Sequence, residues 1–157
     1  MTAAVDTNIL LDILLPDPEF SDTSRAFLER GMKEGAIVMC ETVYSELSTF
    51  FTRKRELDAF LEDLNITLKS STRDSLFTAG EAWKEYLRTR DPDIQCTACG
   101  NRMKVNCAEC GQLLTKRHIL SDFIIGAHAQ VLADTLITRD RGIYKGYFKD
   151  LTLNFGD

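Results

Sequence analysis

No stretch of this 157-residue chain is apolar for long enough to cross a bilayer as a helix. The run from Ile9 to Leu15 is short and contains Asp12, whereas a span needs about 20 apolar residues. The N-terminus also lacks a basic leader followed by an apolar stretch, so a cytoplasmic location is expected and a membrane partner is not. An excess of basic residues is missing too: 19 Lys and Arg face 24 Asp and Glu, a net charge of −5. Because nucleic-acid affinity normally comes from clustered Lys and Arg, any such binding has to come from local clusters. Histidine is scarce, with His118 and His128 alone, and His128 lies in a small, apolar helical stretch that reads as packing or surface. No internal repeat or low-complexity segment is present, which excludes solenoids and argues against disorder.

What is present suits one domain, which at this length buries about 70% of the surface its unfolded chain would expose. Ala3-Ala4-Val5 reads as a first strand, ended by Asp6-Thr7-Asn8, where Thr7 or Asn8 can cap a helix reaching Leu15. Pro16-Asp17-Pro18 stops that helix, Ser21-Asp22-Thr23 opens a second, and Ala36-Ile37-Val38-Met39 has the continuous apolar character of a strand buried on both faces. A helix from Glu41-Thr42, another through Leu64, a strand at Ile66 to Lys69 and an amphipathic helix over residues 73 to 90 follow, the last with Leu76, Phe77, Ala79, Trp83, Tyr86 and Leu87. A helix from Ile119 to Ala133 and strands at Thr135 to Thr138 and Leu151 to Phe155 complete the pattern. Strands alternating with helices predict a three-layer α/β/α fold around a mainly parallel sheet.

On this map Asp6 and Asp140 fall just past the C-terminal ends of strands, while Glu46 and Asp122 ride on helices that can face the same crevice. Each acid taken singly has a plainer reading: a helix cap for Asp6, a solvent-facing position for Glu46, a first-turn acid for Asp122 and a turn residue for Asp140. Gathered in one cleft, four carboxylates would repel each other unless some took up protons. A hard cation removes that conflict, and oxygen ligands suit Mg²⁺ or Mn²⁺ better than zinc. The expected chemistry is hydrolysis of a phosphodiester by metal-activated water. Lys116, Arg117 and His118 precede Asp122, and Arg139 and Arg141 flank Asp140. Lys116, Arg117, Arg139 and Arg141 are therefore candidates for contact with RNA.

Four of the five cysteines form two C-x-x-C-G units, Cys96-Thr97-Ala98-Cys99-Gly100 and Cys107-Ala108-Glu109-Cys110-Gly111. In a reducing compartment such pairs point to metal ligation before disulfides, and Cys96, Cys99, Cys107 and Cys110 are expected to hold a structural Zn²⁺. The segment 94–112 is read as a zinc-ribbon insertion in a domain spanning 1–157. Cys40 stands apart at the end of an apolar run and reads as core.

Four segments taken together carry a resemblance. They are Val5-Asp6-Thr7-Asn8-Ile9-Leu10-Leu11-Asp12, Val43-Tyr44-Ser45-Glu46-Leu47, Ser121-Asp122-Phe123-Ile124-Ile125-Gly126-Ala127-His128-Ala129 and Leu136-Ile137-Thr138-Arg139-Asp140. Their order and spacing resemble those of PIN-domain ribonucleases, closest to the VapC-type toxins of toxin–antitoxin pairs, over nearly the whole chain outside residues 91–115. The resemblance implies a metal-dependent endoribonuclease in which Asp6, Glu46, Asp122 and Asp140 hold Mg²⁺ or Mn²⁺ and Asn8 and Thr138 support them by hydrogen bonds. It also implies an RNA substrate, a cognate antitoxin and a homodimer. Asp12 is read either as a support for the acids or as a helix-surface residue. The alternatives are a housekeeping RNA-processing nuclease and a non-catalytic zinc-ribbon module that binds RNA or protein.

Overall fold

The computed structural model describes residues 1–90, 94–95, 102–114, 120–140 and 142–154. In chain order its elements are β1 (Thr2–Val5), α1 (Thr7–Leu14), α2 (Ser21–Glu34), β2 (Ala36–Met39), α3 (Glu41–Ser48), α4 (Lys54–Asp63), β3 (Ile66–Leu68) and α5 (Arg73–Thr89). Four two-residue strands follow, β4 (Ile94–Gln95), β5 (Arg102–Met103), β6 (Val105–Asn106) and β7 (Leu113–Leu114). The chain then runs through α6 (Leu120–Leu132), β8 (Thr135–Ile137), α7 (Gly142–Tyr147) and β9 (Leu153–Asn154).

The main sheet has the order β3-β2-β1-β8-β9, and every described pairing in it is parallel. Helices flank it to give the three-layer α/β/α arrangement expected, with α2 against β1 and β2 and α6 against β1 and β8. Strands covered on both faces cannot alternate apolar with polar residues. Accordingly Ala3, Ala4 and Val5 of β1, Ile37, Val38 and Met39 of β2, and Leu136 and Ile137 of β8 are all buried. The chain begins at the centre with β1, moves outward through β2 and β3, then crosses back to β8 on the other side of β1. That reversal is a topological switch point, and the crevice of an open α/β sheet opens there, beyond the carboxyl ends of the two diverging strands.

A cluster of rings locks the helices that border the crevice. Phe123 of α6 lies 5.1 Å from the Trp83 ring, 5.4 Å from Tyr86, 5.5 Å from Tyr147 and 6.2 Å from Phe148, in tilted and edge-on contacts that aromatic rings prefer. Gly126, one turn further along α6, admits Phe148: a Cβ there would stand 2.5 Å from the ring. His128 is also buried, with Nε2 2.8 Å from the Lys69 carbonyl oxygen, so packing is its place. Burial pushes its pKa down from the usual histidine range, against the Lys69 carbonyl and Glu41, which favour the charged ring.

Three departures from the sequence reading have physical causes. The strand expected at Ile66 to Lys69 is an edge strand whose Thr67 and Leu68 are exposed. On α5, Leu76, Phe77 and Leu87 are solvent-facing at 47%, 70% and 45% exposure, whereas Ala79 and Tyr86 are buried; apolar spacing marks the helix, but more of its surface is apolar than the core can cover. Residues 142–147, to which the sequence reading assigns no element, form α7.

Candidate active site

Asp6 leaves β1 and enters α1 as its N-cap residue without making a side-chain cap bond. Its carboxylate instead gathers donors from across the crevice on Oδ2. The Thr138 hydroxyl donates at 2.6 Å, Asn8 Nδ2 at 2.7 Å and the Tyr144 hydroxyl at 3.2 Å. The Asp6 amide is tied to the Ile137 carbonyl at 3.0 Å, continuing the pairing of β1 with β8 one residue past the end of β1. Asp6 is 5% exposed. Burial raises its pKa above the ordinary carboxylate range, against the hydrogen bonds from Thr138, Tyr144 and the Thr7 backbone, with the nearby Asp140 adding to the rise.

The other three acids arrive on separate elements. Glu46 sits in the second turn of α3, half-buried, and accepts the Thr7 hydroxyl on Oε2. Asp122 lies in the first turn of α6, half-buried. Asp140 follows β8 in an exposed turn, where Oδ1 accepts the backbone N–H groups of Gly142 at 2.8 Å and Ile143 at 3.3 Å, and its own N–H donates to Thr138 Oγ1 at 3.0 Å. The turn reading of Asp140 and its place beside Asp6 are thus compatible.

Asp122 reports the mutual proximity. Its pKa is pushed up to about 6, first by burial and then by the charges of Asp6, Asp140 and Glu46. The same crowd acts on Tyr144, whose hydroxyl is held well above the usual tyrosine value by burial and then by Asp6, Asp122 and Asp140. Among the described residues, however, no three His, Cys, Asp or Glu side chains are close enough together to close around one ion. Asp6 and Asp140 each have an oxygen committed to protein donors, and Glu46 has one committed to Thr7. Such a donor set fits a hard divalent ion that keeps several of its waters and takes only one or two carboxylates directly.

Arg139 is engaged elsewhere than expected for an RNA contact. Its Nε is 2.8 Å from Asp12 Oδ2 and its guanidinium carbon lies 4.2 Å from the Phe20 ring centroid. Asp12 is correspondingly a buried ion-pair partner and not a helix-surface residue. Lys116, Arg117 and Arg141 lie outside the described residues, as do Cys96 and Cys99. Sequence reasoning missed Tyr144 and Thr7 as contacts of the acids. Tyr144 stands in a short run interrupted by Gly142 and Gly146, which offers no periodicity to read. Thr7 was read only as a possible cap.

A parallel α/β sheet with acids from four elements gathered at its switch point defines a class of protein with a carboxylate-lined crevice. The chain belongs to the PIN domain family, whose model matches residues 3–98, more than half of its length. PIN domains are generally nucleases. Among solved structures it is similar to VapBC2 from Rickettsia felis bound to a DNA fragment from its promoter, at 18% identity and a TM-score of 0.63 over 98% of each chain. It is also similar to VapBC-1 from nontypeable Haemophilus influenzae, at 17% identity and a TM-score of 0.61 over 98% of this chain and 97% of that one. FitAcB from Neisseria gonorrhoeae aligns at 16% identity with a TM-score of 0.57, over 96% and 95% of the two chains. At these identities the likeness is one of fold. Among curated proteins none matches the chain.

Proposed function

We propose that the protein is a metal-dependent endoribonuclease that hydrolyses RNA phosphodiester bonds, and that it is the toxin of a VapBC-type pair. The observation that carries the nuclease reading is the convergence of acids from separate elements: Thr138 Oγ1 bonds both Asp6 and the Asp140 N–H, Thr7 beside Asp6 holds Glu46, and the charges of these three acids, after burial, push the Asp122 pKa up. Such crowding destabilises the protein by itself and is useful where a cation is to be held. In this reading Asp6, Glu46, Asp122 and Asp140 hold Mg²⁺ or Mn²⁺, which when bound would lower the pKa of a water and stabilise charge on the reacting oxygens. Asn8, Thr138 and Tyr144 fix the orientation of Asp6 through Oδ2, and Thr7 restrains Glu46. Lys116, Arg117 and Arg141 are the remaining candidates for the RNA phosphates.

The test is cleavage of a mixed RNA pool. Activity should require Mg²⁺ or Mn²⁺, stop with EDTA, and fall to background in Asp6→Asn and Asp122→Asn while both variants keep the wild-type circular dichroism spectrum. Wild-type cleavage by either variant contradicts the assignment.

The toxin reading is supported by the likeness to two VapBC structures. A cognate antitoxin is then the expected partner. A homodimer is supported by the exposed apolar side chains Leu76, Phe77 and Leu87 on α5, since contiguous apolar surface of this kind marks interaction sites.

Residues 94–112 are proposed as a zinc-ribbon insertion. Cys107 and Cys110 are not disulfide-bonded. Around them the chain makes a tight knuckle: the Gly111 N–H donates to the Cys107 carbonyl at 2.9 Å and the Cys107 N–H to the Gln112 carbonyl at 2.7 Å. Gly111 takes a φ of +72°, a conformation costly for residues with a Cβ. Backbone N–H groups of Cys110 and Glu109, with the Cys110 side chain, hold the Cys107 thiol below its usual pKa, which favours the thiolate a zinc ion needs. The knuckle sits between the paired strands β6 and β7, and Cys96 and Cys99 fall in sequence between the paired strands β4 and β5.

A further inference from the structure

We propose that Asp12 and Arg139 act together as positioning residues for the acid cluster, fixing the Thr138–Asp140 turn against α1. This rests on the metal-dependent reading and deepens it. Arg139 Nε lies 2.8 Å from Asp12 Oδ2, and Nη2 donates to Oδ1 at 2.9 Å. Two parallel charge-assisted bonds of this kind need the planar fork of arginine, and a lysine cannot reproduce them. Ser24 of α2 adds a third bond to the same carboxylate, its hydroxyl donating to Oδ2 at 2.6 Å. The face of the guanidinium rests on Phe20.

A carboxylate with a side chain only 4% exposed has given up its hydration, and a buried ion pair is poor evidence of net stabilisation. What such a pair supplies reliably is a fixed geometry, and the geometry here centres on residue 139. Asn8 and Asp12 stand one turn apart on the same side of α1. Asn8 Oδ1 accepts the Arg139 backbone N–H at 3.2 Å, and Asp12 takes its side chain. The helix therefore grips Arg139 twice. Its two neighbours in sequence are Thr138, which donates to Asp6 Oδ2, and Asp140, whose N–H donates back to Thr138 Oγ1. Asn8 closes the circuit by donating to both Asp6 Oδ2 and Thr138 Oγ1. If Arg139 is released, the turn that carries one proposed ligand and steadies another loses its charged tie to Asp12 and is left, among the described residues of α1, with the two 3.2 Å hydrogen bonds to Asn8.

The test is Mn²⁺ binding, read from the electron paramagnetic resonance signal of the free ion, with thermal melting measured in parallel. The proteins are wild type, Asp12→Asn, Arg139→Lys and the double variant Asp12→Asn/Arg139→Lys. Each single variant should raise the half-saturating Mn²⁺ concentration by about ten-fold or more, the range found when partners of metal ligands are removed. The double variant should be no worse than the poorer single one, because both lose the same interaction. A strut that only fastened α1 to α2 would lower the melting temperature and leave Mn²⁺ affinity of the folded protein alone. Unchanged affinity in folded variants thus overturns the proposal and leaves the metal reading standing, whereas a wild type that binds no Mn²⁺ overturns the metal reading and the proposal with it. Should Asp12→Asn not fold, Arg139→Lys decides by the same readout, since it keeps the charge and loses only the fork.

Discussion

Three donors converge on one oxygen of Asp6, and they come from three different places: Asn8 from α1, Thr138 from the end of β8 and Tyr144 from α7. Removing the longest of these bonds by Tyr144→Phe keeps the ring in its fully buried slot and is expected to cost about 1 kcal/mol of stability, the usual net worth of one hydrogen bond. Urea unfolding measures it, and a loss above about 3 kcal/mol would mean that the ring itself has moved.

Asp122 makes the pH dependence specific. Its folded-state pKa of about 6 lies above the ordinary carboxylate value of 3.8. The stabilisation from its bound proton is therefore complete below about pH 4 and is lost as the pH rises through about 6. Asp6, also raised, acts in the same direction. EDTA-treated protein should show this loss in its melting temperature over that window, Asp122→Asn should flatten it, and Mn²⁺ should restore the wild type above pH 6, where proton and ion no longer compete. A melting profile identical in wild type and Asp122→Asn would contradict the crowding of the four acids.

At the scale of elements, α6 carries Asp122 into place because its next residue, Phe123, is fully buried among rings of α5 and α7 and Phe148. Phe123→Ala is expected to lose about 3–5 kcal/mol in chemical denaturation, the range for emptying an aromatic site. Gly126→Ala, whose added methyl would stand 2.5 Å from the Phe148 ring, is expected to lose about 1–3 kcal/mol through overpacking. A neutral result at Gly126 would show that α6 can withdraw from Phe148 without strain.

The elements were also what the sequence displayed best. Val5 to Asp6 and Ile137 to Asp140 are changes from an apolar run to a polar residue, and a buried parallel strand followed by its crevice leaves that trace. Glu46 and Asp122 needed the order of four segments together, because an acid on a helix surface looks the same locally whether or not it faces a cleft. Arg139 was legible as a charge but not as a partner of Asp12, which lies 127 positions away. Leu76, Phe77 and Leu87 had the spacing of core residues, yet periodicity records only that a face is apolar and not what covers it.

For the whole molecule, the sheet and its helices form one hydrophobic core, to which the short strands β4 to β7 contribute none of the buried residues described. Met103, Leu113 and Leu114 of that segment are exposed. With no buried apolar side chain among its described residues, the segment would depend on a metal for its folding, an effect on the order of 10 kcal/mol for structural zinc. Purified protein is expected to carry one zinc ion per chain, measured by release to a chromophoric chelator, and Cys107→Ser should reduce it while leaving the main sheet intact by circular dichroism. Absence of zinc from protein prepared under reducing conditions would contradict the ribbon. On the opposite question of assembly, Phe77→Glu should shift the chain toward a monomer in light scattering if α5 is the contact between copies.

The most direct measurement is anomalous scattering from crystals soaked in Mn²⁺. A peak is expected in the crevice beyond β1 and β8, within direct or water-bridged reach of Asp6, Glu46, Asp122 and Asp140. A well-ordered crystal with no such peak, or with its ion bound away from these four side chains, would contradict the metal site.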